Sequence, residues 1–370
     1  YYKNIIYRKM SIKKMTPYLS DKIKVISFVC IVLVVWIHTY YTEGSNYTSS
    51  MLLMNFWGCG ICMLAVPMFY TISGYLFFLN VHSIGDVFKK QKKRIRTLFV
   101  PYILSNVLSI TFYYLLDFVI ARMPEWQVII NNNLLERASG NGIGYWLYYC
   151  FWEGPIAFQL WFVRDLMFLV VFTPVMYVLF RYITKSLSLT ALGLMACLGV
   201  AFHHGNPFSW AAGWFCLGGL LSMNNYVSVI AVKKARCWAY LCFAAVLGVI
   251  LLNAMYAAGI SSVFIKQDVI TILGVPSAWV VYDDIAKGQI LCNNRTLATI
   301  FGSSFFIYLI HEPFLNIFKK FPLLFDKGEW CINVSYATCP IAFIIVCIAL
   351  GIVFKRWLPK WYGVFTGGRM

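Results

Sequence analysis

The chain is 370 residues long, 61% apolar and 12% charged, and its 31 lysines and arginines exceed its 14 acidic residues by 17. An ordinary soluble domain carries about 25% charged residues, and a disordered chain needs few apolar ones, so both classes are excluded. The basic excess is scattered rather than gathered into one patch, which removes the usual reason to infer a nucleic-acid partner.

Apolar runs recur along the whole chain, and a helix that crosses a bilayer needs about 20 mostly apolar residues. Val25 to Tyr41 and Cys237 to Ala258 are nearly continuous, without the ten-residue alternation of a membrane β-barrel. The fold class is therefore predicted to be all-α, a polytopic membrane protein of about ten transmembrane helices. The spans fall near 24–41, 51–80, 98–120, 160–180, 187–203, 209–223, 237–258, 263–282, 298–318 and 337–354. Pro67 is expected to tilt or kink the long second span, and Lys266 and Asp268 interrupt the eighth. With the N-terminus inside, 24 of the 31 basic residues fall in inside segments and five in outside ones. Lysine and arginine accumulate in short cytoplasmic loops, so both termini are expected to be cytoplasmic. The organisation is then a basic cytoplasmic segment at 1–23, a ten-span membrane domain at 24–354 and a basic cytoplasmic tail at 355–370. No small-residue cleavage site follows the first apolar run, so that run is expected to stay in the membrane.

Most of the 12 cysteines lie inside apolar runs, where a thiol packs as a small hydrophobe. Cys59 and Cys62 have redox or metal spacing but no second pair, so packing is the better reading and no metal site is expected. Cys150, Cys331 and Cys339 fall in or near external segments, where pairing is open. The largest external segment, about 121–159, is rich in Trp, Tyr, Asn and Gly; its aromatics suit an interfacial belt or the stacking of sugar rings.

Ionisable side chains inside spans are costly unless paired or hydrated, which makes them functional candidates. On this topology His38, Asp117, Arg164, Asp165, His203, His204, Lys266, Asp268, His311 and Glu312 all lie toward the outer face. His38 closes an apolar run and is either a general base able to activate a hydroxyl or a histidine at headgroup level. His311 offers a second imidazole beside Glu312, although adjacent helix residues do not face each other. Arg164 and Asp165 are either an interhelical ion pair or a substrate-orienting one, and His203 and His204 read as a hydrated loop. The loop 81–97 holds Lys89, Lys90, Lys92, Lys93, Arg94 and Arg96, either facing anionic lipid or cradling phosphates. No Gly-rich phosphate loop, zinc-ligand spacing or nucleophile elbow is present.

Five stretches taken together resemble the membrane acyltransferase family 3, integral-membrane O-acyltransferases that often modify bacterial surface glycans. They are KVISFVCIVLVVWIH (24–38), VPMFYTISGYLF (66–77), KRIRTLFVPY (93–102), LWFVRDL (160–166) and SFFIYLIHEP (304–313), in family order. The resemblance implies about ten spans, a cytoplasmic acyl-CoA donor and an acceptor hydroxyl on a carbohydrate, in the bacterial cytoplasmic membrane. The family's first-span histidine, taken as catalytic, looks like His38. The family's arginine eleven residues earlier is Ser27 here, with Lys24 the nearest upstream cation, and its paired arginines look like Lys93 and Arg94.

The expected function is transfer of an acyl group, acetyl by preference, from acyl-CoA to a hydroxyl of a glycan or lipid-linked sugar. His38 is the expected base, with Arg164, Asp165 and His311 orienting substrate and Lys24, Lys93, Arg94 and Arg96 holding the donor's phosphates. Some relatives append an extracytoplasmic esterase-like domain. No such domain is expected here, so the membrane domain is expected either to transfer directly or to rely on a separate extracytoplasmic transferase to finish the reaction. A transporter of a glycan precursor is the alternative, and a binding subunit that turns over nothing is a third reading.

Overall fold

The computed structural model describes residues 15–120, 122, 143–148, 155–202, 207–224 and 233–368. Helices α1 (Pro17–Ile37), α2 (Thr48–Trp57), α3 (Ala65–Phe78) and α4 (Ile84–Ile120) come first, then the short α5 (Ile143–Tyr148). They are followed by α6 (Trp161–Ile183), α7 (Leu187–Phe202), α8 (Pro207–Asn224), α9 (Lys233–Ala257) and α10 (Gln267–Ala286). The chain ends in α11 (Arg295–Gly302), α12 (Ser304–Phe318), α13 (Glu329–Trp357) and α14 (Pro359–Phe365). No strand occurs among the described residues, so the fold is all-α.

Each of the ten apolar segments read from the sequence contains helix. By length and composition six segments qualify as membrane spans, and a seventh does if α11 and α12, bent by 48°, count as one. The remaining three are α1, which carries Asp21, Lys22 and Lys24 near its start, and the shorter α7 and α8. Apolar side chains on the outward faces, such as Val175 and Val178 on α6 and Ile345 and Val353 on α13, are exposed. Hydrocarbon accepts such a surface, so the chain is a multi-pass membrane protein.

Two sequence expectations change. Pro67 does not kink the second span, because it sits in the first turn of α3, where the missing N–H has no helical partner to lose. The break lies earlier, at Gly58–Gly60 and the 3₁₀ turn Ile61–Leu64. The basic segment 81–97 is not a loop but the start of α4. Ser83 and Asp86 form a reciprocal cap, Ser83 N–H to Asp86 at 3.0 Å and Asp86 N–H to Ser83 Oγ at 3.1 Å, and the lysines and arginines that follow are good helix formers. Lys90 turns back to donate to the carbonyls of Phe77 and Leu79 at the end of α3.

Helix α1 occupies the middle of the bundle, with Ile31 and Val35 fully buried. At its start the Asp21 carboxylate accepts the backbone N–H groups of Leu291 (3.0 Å) and Cys292 (2.7 Å). Lys22, 2% exposed, donates to Trp279 O (2.7 Å) and Asp283 (2.8 Å) and lies 4.0 Å over the Trp279 ring. Beyond its end, Lys319 donates to His38 O (2.7 Å) and Tyr40 O (3.3 Å), and Trp36 Nε1 donates to Tyr336 O at 3.1 Å. The helix is thus tied to α10 and to the segment preceding α11 at one end, and to α12 and α13 at the other.

Helices α3 and α8 cross at backbone contact. A Cβ on Gly74 would strike the Phe215 carbonyl, and one on Gly218 would strike the Thr71 carbonyl. Small residues permit such approach between membrane helices. Gly74→Ala is expected to cost about 1–3 kcal/mol by forcing the two helices apart. Reversible denaturation in mixed micelles measures this, and a variant as stable as the native chain would contradict the packing.

Candidate functional site

A cavity of about 870 Å³ runs beside α1 and is walled by α1, α3, α4, α6, α8, α11, α12 and α13. Lys24, Ser27, Val34 and His38 line it from one face of α1, at steps of three, seven and four residues that a 3.6-residue repeat brings onto one stripe. Lys24 and His38 are 14 residues apart in sequence, which at 1.5 Å per residue separates their Cα atoms by about 21 Å along the axis.

The Lys24 end is basic. Arg94, Arg295 and Lys355 line the cavity with Lys24, and none of the four forms an ion pair with a described residue. They converge because the backbone around them does. Arg295 opens α11 after the stretch that Asp21 holds, and Asn294 caps that helix by accepting from Thr296 N (2.9 Å) and Leu297 N (3.2 Å). Lys355 closes α13, after which α14 brings Gly367 against the Thr97 carbonyl of α4, one turn from Arg94.

At the other end His38 lines the cavity, and a second imidazole, His311, lies beside it without reaching the lining. The rings of His38 and His311 lie 5.3 Å apart, centroid to centroid, and Phe158 meets His38 edge-on at 6.0 Å. His311 is fully buried; its Nδ1 is 2.9 Å from Tyr308 O, and its Nε2 has no hydrogen-bond partner among the described residues. With Nδ1–H donating to that carbonyl, Nε2 is the unprotonated nitrogen.

The α12 backbone leaves helical geometry at Glu312 (φ −105°, ψ 139°), and the Glu312–Pro313 peptide is cis. The Glu312 carboxylate turns to His38, with Oε1 at 4.0 Å from Nδ1, while Oε2 accepts from Asn316 at 2.6 Å. Gln159 spans the break, donating to Leu309 O (3.2 Å) and Glu312 O (2.9 Å). Its own carbonyl accepts from Tyr308 at 2.6 Å, and its Oε1 is buried without a partner among the described residues.

Of the residues expected from sequence, His38 and His311 are brought together, and Lys24 and Arg94 line the cavity. Lys93 and Arg96 do not; they are exposed on other faces of α4, because successive helix positions point about 100° apart. Arg164 and Asp165 bond each other, Nε and Nη2 both 3.0 Å from Asp165 Oδ1, and are not among the lining residues. The pair is therefore between neighbours on α6 rather than between helices. Lys266 pairs with Asp268 at 3.3 Å where α10 begins and lies 4.4 Å from the Phe202 ring. His203, His204, Cys150 and the Asp117 side chain lie outside the described residues, as does most of segment 121–159. Cys59, Cys62, Cys331 and Cys339 are free thiols.

Sequence reasoning missed Arg295, Lys355, Gln159 and Lys319 as site residues and left Glu312 without a role. Gln159 directly precedes the LWFVRDL stretch, and Glu312 is inside the SFFIYLIHEP stretch, so both had a signal. Arg295 and Lys355 are single cations in the tallies of separate loops, and nothing local marks them. Among the described residues no three His, Cys, Asp or Glu side chains gather closely enough to hold a metal ion.

The site therefore lies inside a membrane-embedded helical bundle, in a cavity that runs from Lys24, Arg94, Arg295 and Lys355 to His38, beside which His311 is buried. Residues 21–356 match the acyltransferase domain of acyltransferase family 3, and the chain belongs to that family of membrane acyltransferases. The general activity of that family is acyl transfer. The succinoglycan biosynthesis protein ExoH of Rhizobium meliloti (strain 1021) is similar, 22% identical over 378 residues that cover 95% of this chain and 92% of that protein. No solved structure gives a significant match.

Asp165→Asn would leave the Arg164 guanidinium without its counter-charge, and breaking a buried pair on one side costs about 3–5 kcal/mol. The variant is expected to unfold at markedly lower denaturant. The double change Arg164→Leu with Asp165→Leu is expected to recover most of that loss; a double variant no more stable than Asp165→Asn would show that the charges do more than neutralise each other.

Proposed function

We propose that the protein is an O-acyltransferase that moves an acyl group, acetyl in the simplest case, from acyl-CoA to a sugar hydroxyl. The acceptor is a surface glycan or a lipid-linked precursor, and the protein works in the bacterial cytoplasmic membrane. The observation that carries this reading is the cavity lined by four cations at one end and by His38 at the other. On this reading all ten helical segments cross the membrane and both termini are cytoplasmic. Residues 1–23 and 355–370 flank a membrane domain at 24–354, and the cationic end faces the cytoplasm, where acyl-CoA is found.

The donor's phosphates are held by Lys24, Arg94, Arg295 and Lys355, since guanidinium groups bind phosphate bidentately and ammonium groups add point charge. Lys93 and Arg96, exposed beside this mouth, add to the field that draws the anion in. Ser27 stands where the family usually has arginine, and on this reading Arg295 and Lys355 make up the missing charge. The pantetheine arm runs along α1 toward His38.

With its Nδ1 facing Glu312, His38 keeps Nε2 for substrate. Nε2 takes the proton of the acceptor hydroxyl as the oxygen bonds to the thioester carbon; the carbon–sulfur bond then breaks, and the leaving thiolate takes that proton back. The Glu312 carboxylate stabilises the imidazolium that forms in between. Gln159, which lines the cavity, and His311, beside His38, orient the incoming sugar. The acyl group passes to the final acceptor or to a separate extracytoplasmic transferase. Arg164 and Asp165 support the wall at Tyr70 rather than touching substrate.

His38→Ala is expected to lower acyl transfer by about 10²- to 10⁴-fold, the range for a general base, with acyl-CoA binding retained. Arg295→Gln and Lys355→Gln are each expected to raise KM for acyl-CoA about tenfold with kcat kept, as loss of one charge-assisted contact of about 1.4 kcal/mol requires. CoA release from the purified protein on adding acceptor measures all three. Unchanged transfer by His38→Ala removes the base, and acceptor flux without CoA release identifies a carrier instead.

A further inference from the structure

At the His38 end the cavity wall is built of rings. Phe158, Trp161 and Phe162 line it where a 3₁₀ turn (Phe158–Leu160) runs into α6. Three and four residues apart in continuous helical turns, they fall on one face. Phe158 is 64% exposed and meets the His38 ring edge-on at 6.0 Å, while Trp161 and Phe162 are half-buried. Phe162 is held by Tyr70 at 4.5 Å, Phe69 at 5.8 Å and Tyr308 at 6.1 Å, and Trp161 meets it edge-on at 6.5 Å. The surface is therefore aromatic, fixed by the rings around it, open to the cavity and next to the residue that would accept the acceptor's proton.

We infer that this aromatic face is the acceptor's subsite: a sugar ring lies on Trp161, with Phe158 at its rim, and so presents a ring hydroxyl to His38. This rests on the reading of the cavity as an acyl-transfer site. A pyranose carries its C–H groups on its faces and its hydroxyls around its edge. One face can then pack on an indole while the edge stays free to hydrogen-bond and react. An acyclic polyol with the same hydroxyls has no such face. A hydrocarbon chain gains nothing from rings that it would not gain from Val163, Leu166 and Val170, which line the same cavity further along α6.

The test follows CoA release by the purified full-length protein in lipid nanodiscs, with acetyl-CoA as donor and a set of alcohols as acceptors. The set is the methyl pyranosides of glucose, galactose and mannose, then sorbitol, which has a sugar's hydroxyls without the ring, and hexan-1-ol, which has neither. The best pyranoside is expected to exceed sorbitol and hexan-1-ol in kcat/KM by about tenfold or more. Trp161→Ala is expected to raise KM for that pyranoside about tenfold with KM for acetyl-CoA unchanged, and Trp161→Phe to keep most of the native value. Phe158→Ala, at an exposed position outside the packed wall, is expected to give a smaller shift of the same kind; a merely structural loss would move both KM values together. Sorbitol equal to the best pyranoside, or a pyranoside KM unmoved in both alanine variants, overturns the stacking subsite and leaves the transferase standing. Hexan-1-ol ahead of the pyranosides overturns it in favour of a lipid chain. Transfer to none of the alcohols with acetyl-CoA still bound also overturns the subsite, and failure of the native chain to bind acetyl-CoA overturns the donor reading with it.

Discussion

The site depends on one helix being held still at both ends. Lys24 and His38 are separated by the length of α1, so any sliding or rotation of that helix would misplace both groups together. The Asp21 carboxylate and the Lys22 ammonium fix its start through backbone and side-chain partners on the segments that flank it. Lys319 fixes the chain just beyond its end through two carbonyls. Burying Lys22 costs desolvation, and the carboxylate, the carbonyl and the indole face around it offset that cost. These contacts also explain why α1 carries charges near its start and is nevertheless central to the bundle.

Much of the fold was legible in the sequence, because a run of apolar residues long enough to cross a bilayer has few other uses. All ten such runs contain helix. What hydropathy could not show was local. It could not place the break in the second segment at Gly58–Gly60 rather than at Pro67, since a proline breaks a helix only where an N–H is needed. It also took a highly charged stretch for a loop, although lysine, arginine and glutamine extend α4 readily once Ser83 and Asp86 have capped it.

The site was legible in part for a related reason. A cluster of cations in sequence need not be a cluster in space: α4 turns Arg94 toward the cavity and Lys93 and Arg96 elsewhere. A cluster in space need not be one in sequence either, since Arg295 and Lys355 reach the same mouth from α11 and α13. The two histidines were visible as ionisable residues at the ends of apolar runs, but their 5.3 Å approach is a tertiary fact. Arg164 and Asp165 looked like a site for the same reason and turned out to satisfy each other.

The departure of α12 from helical geometry at Glu312 ties two distant stretches of the chain to a common fate. Hydrocarbon supplies no water for loose carbonyls, and here the amide of Gln159 takes on those of Leu309 and Glu312 together. A chain that straightened the helix would have no use for an amide at position 159. One that kept the bend but lost the amide would bury two acceptors without donors, so among relatives these positions should be inherited as a pair.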